Sequence, residues 1–171
     1  MALRIWTVTL GCALVLSTAH GQQTVPEIKA RASRGDADAQ LWLGLIYATG
    51  NGVRKDMGQA VAWIRKSAEQ GDLPAQKKLA GMYANGQGTP KDAAQAAIWY
   101  GRAAEQGDAE SQAEMALRCE RADGVPRDLA EAYAWNLLAA PVRSTGAAAA
   151  LERLRPQLTA RDVTRAEEVA A

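Results

Sequence analysis

Serines, a cysteine and a group of carboxylates are where chemistry would have to start in this chain. Ser33, Ser67, Ser111 and Ser144 are the serines beyond the leading segment. A serine nucleophile needs an activating partner, and none of the four has lysine three residues on, the S-x-x-K spacing. Ser67 and Ser111 fall where equivalent segments of the chain carry Ala, which marks them as structural. Cys119 has no histidine to activate it, because the single histidine is His20. It is expected to be a buried small hydrophobe. Glu110, Glu114, Glu120 and Asp123 bring carboxylates together. Paired carboxylates can do acid–base work, but a run of charge is first a solvated helix face and second an electrostatic docking surface. The stretch Gly50-Asn51-Gly52-Val53-Arg54-Lys55 has the glycines of a phosphate loop without its G-K-[ST] order. Arg34-Gly35-Asp36 spells an adhesion tripeptide at what is a regular structural junction. The residue types therefore expect no catalytic centre, no metal and no cofactor.

The balance of charge points the same way. The chain of 171 residues has a formal net charge of +1, and 48% of its residues are hydrophobic. That is a globular composition without the basic face of a nucleic-acid binder. Residues 1–21 read as a secretory signal: Arg4, then an apolar run from Ile5 to Leu16, then Ala19-His20-Gly21 with small residues at the cleavage positions. Thr9-Leu10-Gly11 before Cys12 is a poor lipobox. Cleavage after Gly21 would remove His20 and leave Cys119 as the one cysteine, so an internal disulfide is excluded. The expected location is periplasmic or secreted, with no membrane insertion after cleavage.

What must position any functional side chain is a repeat. Three units of 36 residues begin at Asp36, Asp72 and Asp108, and the first two are identical at 17 positions. Seven positions are the same in all three: Asp36, Gln40, Gly52, Asp56, Ala60, Trp63, Ala68 and their equivalents 36 and 72 residues on. In the first unit Ala39, Leu43, Ile46 and Tyr47 share one helical face. Gly50-Asn51-Gly52 stops that helix, since glycine tolerates the left-handed conformation of a helix end. Asp56 caps a second helix, with Gln59 three residues on. Ala60, Trp63, Ile64 and Ala68 form its expected buried stripe, and Trp99 and Trp135 the matching core aromatics.

The segment DADAQLWLGLIYATGNGVRKDMGQAVAWIRKSAEQGD resembles the Sel1-like repeat, an α/α solenoid unit related to the tetratricopeptide repeat. The resemblance runs from residue 36 to about 143. It weakens in the third unit, where Cys119 replaces the tyrosine, Ala122 the first turn glycine and Pro141-Val142-Arg143 the E-Q-G end. It implies an all-α, right-handed α/α superhelical solenoid of three repeats, at 36–71, 72–107 and 108–143. Residues 22–35 are an orphan second helix capping the first repeat. Residues 144–171 are C-terminal capping helices, broken at Pro156 and restarted at Thr159-Ala160-Arg161-Asp162. The single cysteine separates the chain from disulfide-rich members. A small hydrolase of β-lactam or peptidoglycan-fragment type is the alternative from another class, and the lack of histidine and of S-x-x-K counts against it.

The resemblance also implies that first helices line the concave face and that the partner is another protein. Members serve as adaptors, regulators and assembly factors, and some secreted ones as immunity proteins against type VI effectors, including phospholipases. A toxic secreted effector is therefore the leading partner class. A sensor kinase or polysaccharide-export component is the alternative. The docking anchor is expected at Trp42, because its equivalents are Lys78 and Glu114 and the repeat does not require an aromatic there. Leu41 and Leu45 extend that patch, and Lys77, Lys78 and Glu114 grade its charge. The competing expectation packs Trp42 onto the capping helix.

Overall fold

The computed structural model describes residues 24–142 and 146–171. The expected signal segment with Cys12 and His20, and also Arg143 and Ser144, lie outside the described residues. Within them the chain is helical with no strand: α1 Val25–Ser33, α2 Ala37–Thr49, α3 Met57–Glu69, α4 Leu73–Asn85, α5 Ala93–Glu105, α6 Ala109–Arg121, α7 Leu129–Ala139, α8 Ala147–Leu154 and α9 Ala160–Ala170. From α1 to α7 each helix packs on the one before and the one after it, and α8 and α9 both close on α7. This is the α/α solenoid that the repeat implies, with a helix or helices at either end.

The two aspartates of each repeat explain where its helices begin. Asp36, Asp72 and Asp108 accept the Ala39, Ala75 and Ser111 N–H groups at 2.9, 3.2 and 2.8 Å. Asp56 and Asp92 accept those of Gln59 and Gln95, and Asp128 those of Ala130 and Glu131. Each carboxylate satisfies donors that the first turn of a helix leaves unpaired. The turn between paired helices is closed three times by one bond, from the Asp56, Asp92 and Asp128 N–H groups to the Tyr47, Tyr83 and Cys119 carbonyls, at 2.9 to 3.0 Å.

The repeated glycine of that turn has two reasons to be glycine. Gly88 and Gly124 have φ of 74° and 80°, in the left-handed region. A Cβ on Gly88 would also lie 2.5 Å from the Met57 carbonyl oxygen, and one on Gly124 2.1 Å from that of Ala93. Each turn therefore rests directly on the start of the previous repeat's second helix. Without backbone contact at that point, successive repeats could not keep their spacing.

A second device ties repeats together. The Gln40, Gln76 and Gln112 side chains are buried. Each donates to the carbonyl at the end of the preceding second helix: Ala32, Ala68 and Ala104, at 3.1 to 3.2 Å. Gln40 and Gln76 in turn accept from the Gln70 and Gln106 amides at 2.7 Å. Buried amides are thus paired, as burial demands.

The tryptophans are less uniform than the expected core. Trp99 is 6% exposed and belongs to the cluster of Ile64, Leu79 and Met82 between the first two repeats. Trp63 and Trp135 are only half-buried, which corrects the expectation for those two positions. One side of Trp63 lies on the N-terminal cluster of Ile28 and Leu43. The Lys66 ammonium sits 4.0 Å from its ring centre, so a cation covers what the next helix does not. Trp135 turns its indole N–H to Glu131 at 3.4 Å.

The C-terminal cap forms as expected. Pro156 lies in a 3-10 turn, Arg155–Gln157, and Thr159 with Asp162 makes a capping box for α9. Leu154, Val163 and Ala166 cover Tyr133, Ala134 and Cys119.

Candidate protein-binding surface

Trp42 stands on α2 with 44% of its surface exposed. Leu41 and Leu45, beside it, are half-buried, and Leu41 leans on the cluster between the first and second repeats. An indole left in water next to two partly covered leucines is an apolar patch with a polar rim. One repeat further, Lys78 is exposed and Lys77 half-buried; two repeats further, Glu114 is half-buried.

The structure brings Lys77 and Glu114 together. They line one cavity of about 360 Å³ between α4, α5 and α6, with Tyr100, Glu110 and Leu117. Trp42 and Lys78 do not belong to it. Lys77 bridges Asp108 at 2.9 Å and Glu110 at 2.8 Å. Its ammonium is held above its ordinary pKa: burial works against the charge, and the Glu110 and Asp108 carboxylates outweigh it. Burial and the Glu114 carboxylate push the Tyr100 hydroxyl up. The charge of this face is therefore partly spent within the molecule, with Lys77 committed to the third repeat.

The carboxylate group of the third repeat is dispersed, not convergent. Glu110 pairs with Lys77, Glu120 with Arg153 at 2.8 Å and Asp123 with Arg118 at 2.9 Å. Three of the four acids hold other parts of the chain, so the expectation of a merely solvated face is too simple. The Ser67, Ser111 and Cys119 side chains are structural. The Ser67 hydroxyl donates to Asp72 at 2.9 Å and the Ser111 hydroxyl to Asp108 at 2.7 Å. The Cys119 thiol is fully buried. Burial, helped by Glu131 and Asp128, pushes its pKa up to about 12, the opposite of what a nucleophilic thiol needs. Among the described residues no helix is long and apolar enough to cross a membrane.

Helix pairs in strict register, presenting an extended face instead of a converging pocket of reactive groups, define an α/α repeat solenoid of the protein-interaction kind. The chain belongs to the Sel1 repeat family, whose repeat matches at residues 37–72, 73–108 and 109–140. Two solved structures are similar. A Sel1 repeat protein from Oxalobacter formigenes is 37% identical with a TM-score of 0.65, over 68% of this chain and 48% of that one. The protein c5321, described as a protective antigen present in uropathogenic Escherichia coli strains and displaying an SLR fold, is 26% identical with a TM-score of 0.53, over 89% of this chain and 41% of that one. This chain thus spans less than half the length of either. No curated protein matches it.

Proposed function

We propose that this Sel1 repeat chain is a non-enzymatic binding protein of the bacterial cell envelope, and that it docks a partner protein on its first-helix face through Trp42. One observation carries the reading: an indole 44% exposed, at a position that the other two repeats give to Lys78 and Glu114. An exposed aromatic flanked by half-buried leucines has the make-up of an interface hot spot. The signal-like segment before Gly21 supports export. Within the binding class, the reading is an immunity-type inhibitor that neutralises a secreted toxic effector of phospholipase type. Its support is the family resemblance together with that segment.

The test uses the full chain. Wild type and Trp42→Ala are compared in pull-downs from the native envelope, with circular dichroism on both. Trp42→Ala should weaken partner binding by at least ~2 kcal/mol, the hot-spot threshold, and keep the helical spectrum. Glu105→Ala, exposed on a second helix, should leave binding unchanged. A folded Trp42→Ala that retains every partner would end the docking proposal. Co-expression with a neighbouring toxic lipase tests the inhibitor reading: cells unprotected by the wild-type chain would leave the regulatory adaptor as the better assignment.

A further inference from the structure

Repeat register exposes a second surface, on the edge where the two helices of each repeat are joined. Each repeat builds a seam there from three parts: a residue of the preceding second helix, a residue near the end of the first helix, and the turn after it. In the first seam these are Lys29, Tyr47 and the turn Arg54-Lys55-Asp56, which together line a cavity of about 840 Å³. The Lys29 ammonium faces the Tyr47 ring at 5.6 Å. The Asp56 carboxylate is engaged in capping α3. Arg54 and Lys55 are exposed, and neither makes a hydrogen bond or ion pair with another described residue. Three cations thus surround one cavity with one committed carboxylate among them.

The second seam keeps the pattern with less charge. Arg65 lies over Tyr83 at 5.8 Å and donates to its hydroxyl, while Thr89-Pro90-Lys91 stands where the first seam has Val53-Arg54-Lys55. The third seam loses it. Gly101 and Cys119 replace cation and tyrosine together. Asp128 and Glu131 then outnumber Arg127, and Arg165 of the C-terminal cap reaches Asp128 at 3.5 Å. Along one edge the charge falls from strongly positive to negative, and the negative end is met by the chain itself.

We propose that the first two seams form a binding strip for an acidic segment of a partner protein, with glutamate or aspartate side chains entering between the turn cations and the tyrosine ring. The unpaired turn cations Arg54 and Lys55 beside an open groove complement carboxylates, and such complementarity fixes orientation and speeds encounter. An anionic membrane is the poorer occupant, since surface binding combines cations with inserting apolar side chains. Among the described residues the large exposed hydrophobics, Trp42, Ile98, Val142 and Val169, belong to none of the three seams. A nucleic acid needs positive charge along a longer track, and here the third seam is neutralised, with Arg165 on Asp128.

The inference goes beyond the Trp42 face and is tested without it. The full chain is titrated with a hexaglutamate peptide by calorimetry at low and raised salt. Binding should be present, weaken as salt rises, and fall at least tenfold in Arg54→Gln/Lys55→Gln. The charge-matched Arg121→Gln/Arg161→Gln, exposed and outside both surfaces, should stay within twofold of wild type. Both cations of the first pair are exposed, and thermal melts check that each variant folds. Equal loss in the two double variants would reduce the effect to net charge and overturn the proposal. So would hexaglutamate failing to bind while phosphatidylglycerol vesicles or a single-stranded oligonucleotide bind through Arg54 and Lys55.

Discussion

Lys77 on the second repeat's first helix holds Asp108, the residue that caps the third repeat's first helix, at 2.9 Å. The pair crosses the boundary between repeats, and the side chains are 32% and 15% exposed. For Asp108, burial raises the pKa, but hydrogen bonds from the Ser111 hydroxyl and from Lys77 hold it below its ordinary value. A carboxyl depressed in the folded state stabilises above its unfolded pKa, near ~4, and loses that contribution as pH falls through the folded value. The raised Lys77 adds the mirror limb, present below its unfolded pKa and lost as pH climbs through the folded one. Asn also caps helices well, so Asp108→Asn isolates the charge. It should cost about 1 kcal/mol at pH 7 and progressively less as pH falls through the folded value of the Asp108 carboxyl, with Lys77→Met showing the same dependence. Melting curves from pH 2 to 7 decide it; a cost independent of pH would mean that the pair contributes only packing.

A turn residue gives a sharper case of local strain. Ala122 ends α6 with φ of 58°, in the left-handed region where the first two repeats place Gly50 and Gly86. A side chain there costs roughly 1–2 kcal/mol, while glycine costs roughly 0.4–1 kcal/mol through the freedom of the unfolded chain. Ala122→Gly should therefore stabilise the protein by about 0.5–1 kcal/mol. Gly86→Ala, one repeat earlier, should destabilise it by a similar amount. Denaturant titration of both variants measures the two signs, and a destabilised Ala122→Gly would show that the third repeat has relieved the strain elsewhere.

The repeat length was legible because identical residues recur 36 positions apart, and the capping aspartates and the C-terminal restart at Thr159 because each depends on residues close in sequence. What escaped depends on neighbours one repeat away. Gln40 and its equivalents are identical in all three units, yet their role in joining repeats appears only when Ala32 and Gln70 are brought beside them. The strict retention of Gly88 was readable as a turn, but not as contact with the Met57 backbone. Asp123 read as one acid of a cluster. Its partner is Arg118, a buried guanidinium where Ile46 and Met82 stand in earlier repeats, lying 5.1 Å from the Tyr100 ring. Tyr100 itself replaces Ile28 and Ile64. Such paired replacements across a boundary leave no trace in the periodicity of either helix. The exposure of Trp42 was undecidable for the same reason, since it turns on whether α1 covers it.

The three repeated tryptophans should differ in cost, although the sequence treats them alike. Trp99 is 6% exposed within the central cluster, with the Arg102 guanidinium 4.5 Å from its ring centre. Trp99→Ala should cost about 3–5 kcal/mol, the range for deleting a large buried aromatic, and loosen the flanking repeats together because each is held by its neighbour. Trp63 is half-buried and partly covered by Lys66, so Trp63→Ala should cost about half as much, in proportion to the apolar area returned to water. The buried Trp99 indole N–H has no hydrogen-bond partner among the described residues. Trp99→Phe removes that donor with part of the ring, and relief of an unpaired polar group offsets about 1 kcal/mol. The phenylalanine variant should therefore lie within about 2 kcal/mol of wild type. Thermal and denaturant melts of the three variants give the ranking. If Trp63→Ala costs as much as Trp99→Ala, the cation over Trp63 shields the ring as completely as a neighbouring helix would, and burial is the wrong measure of what these side chains contribute.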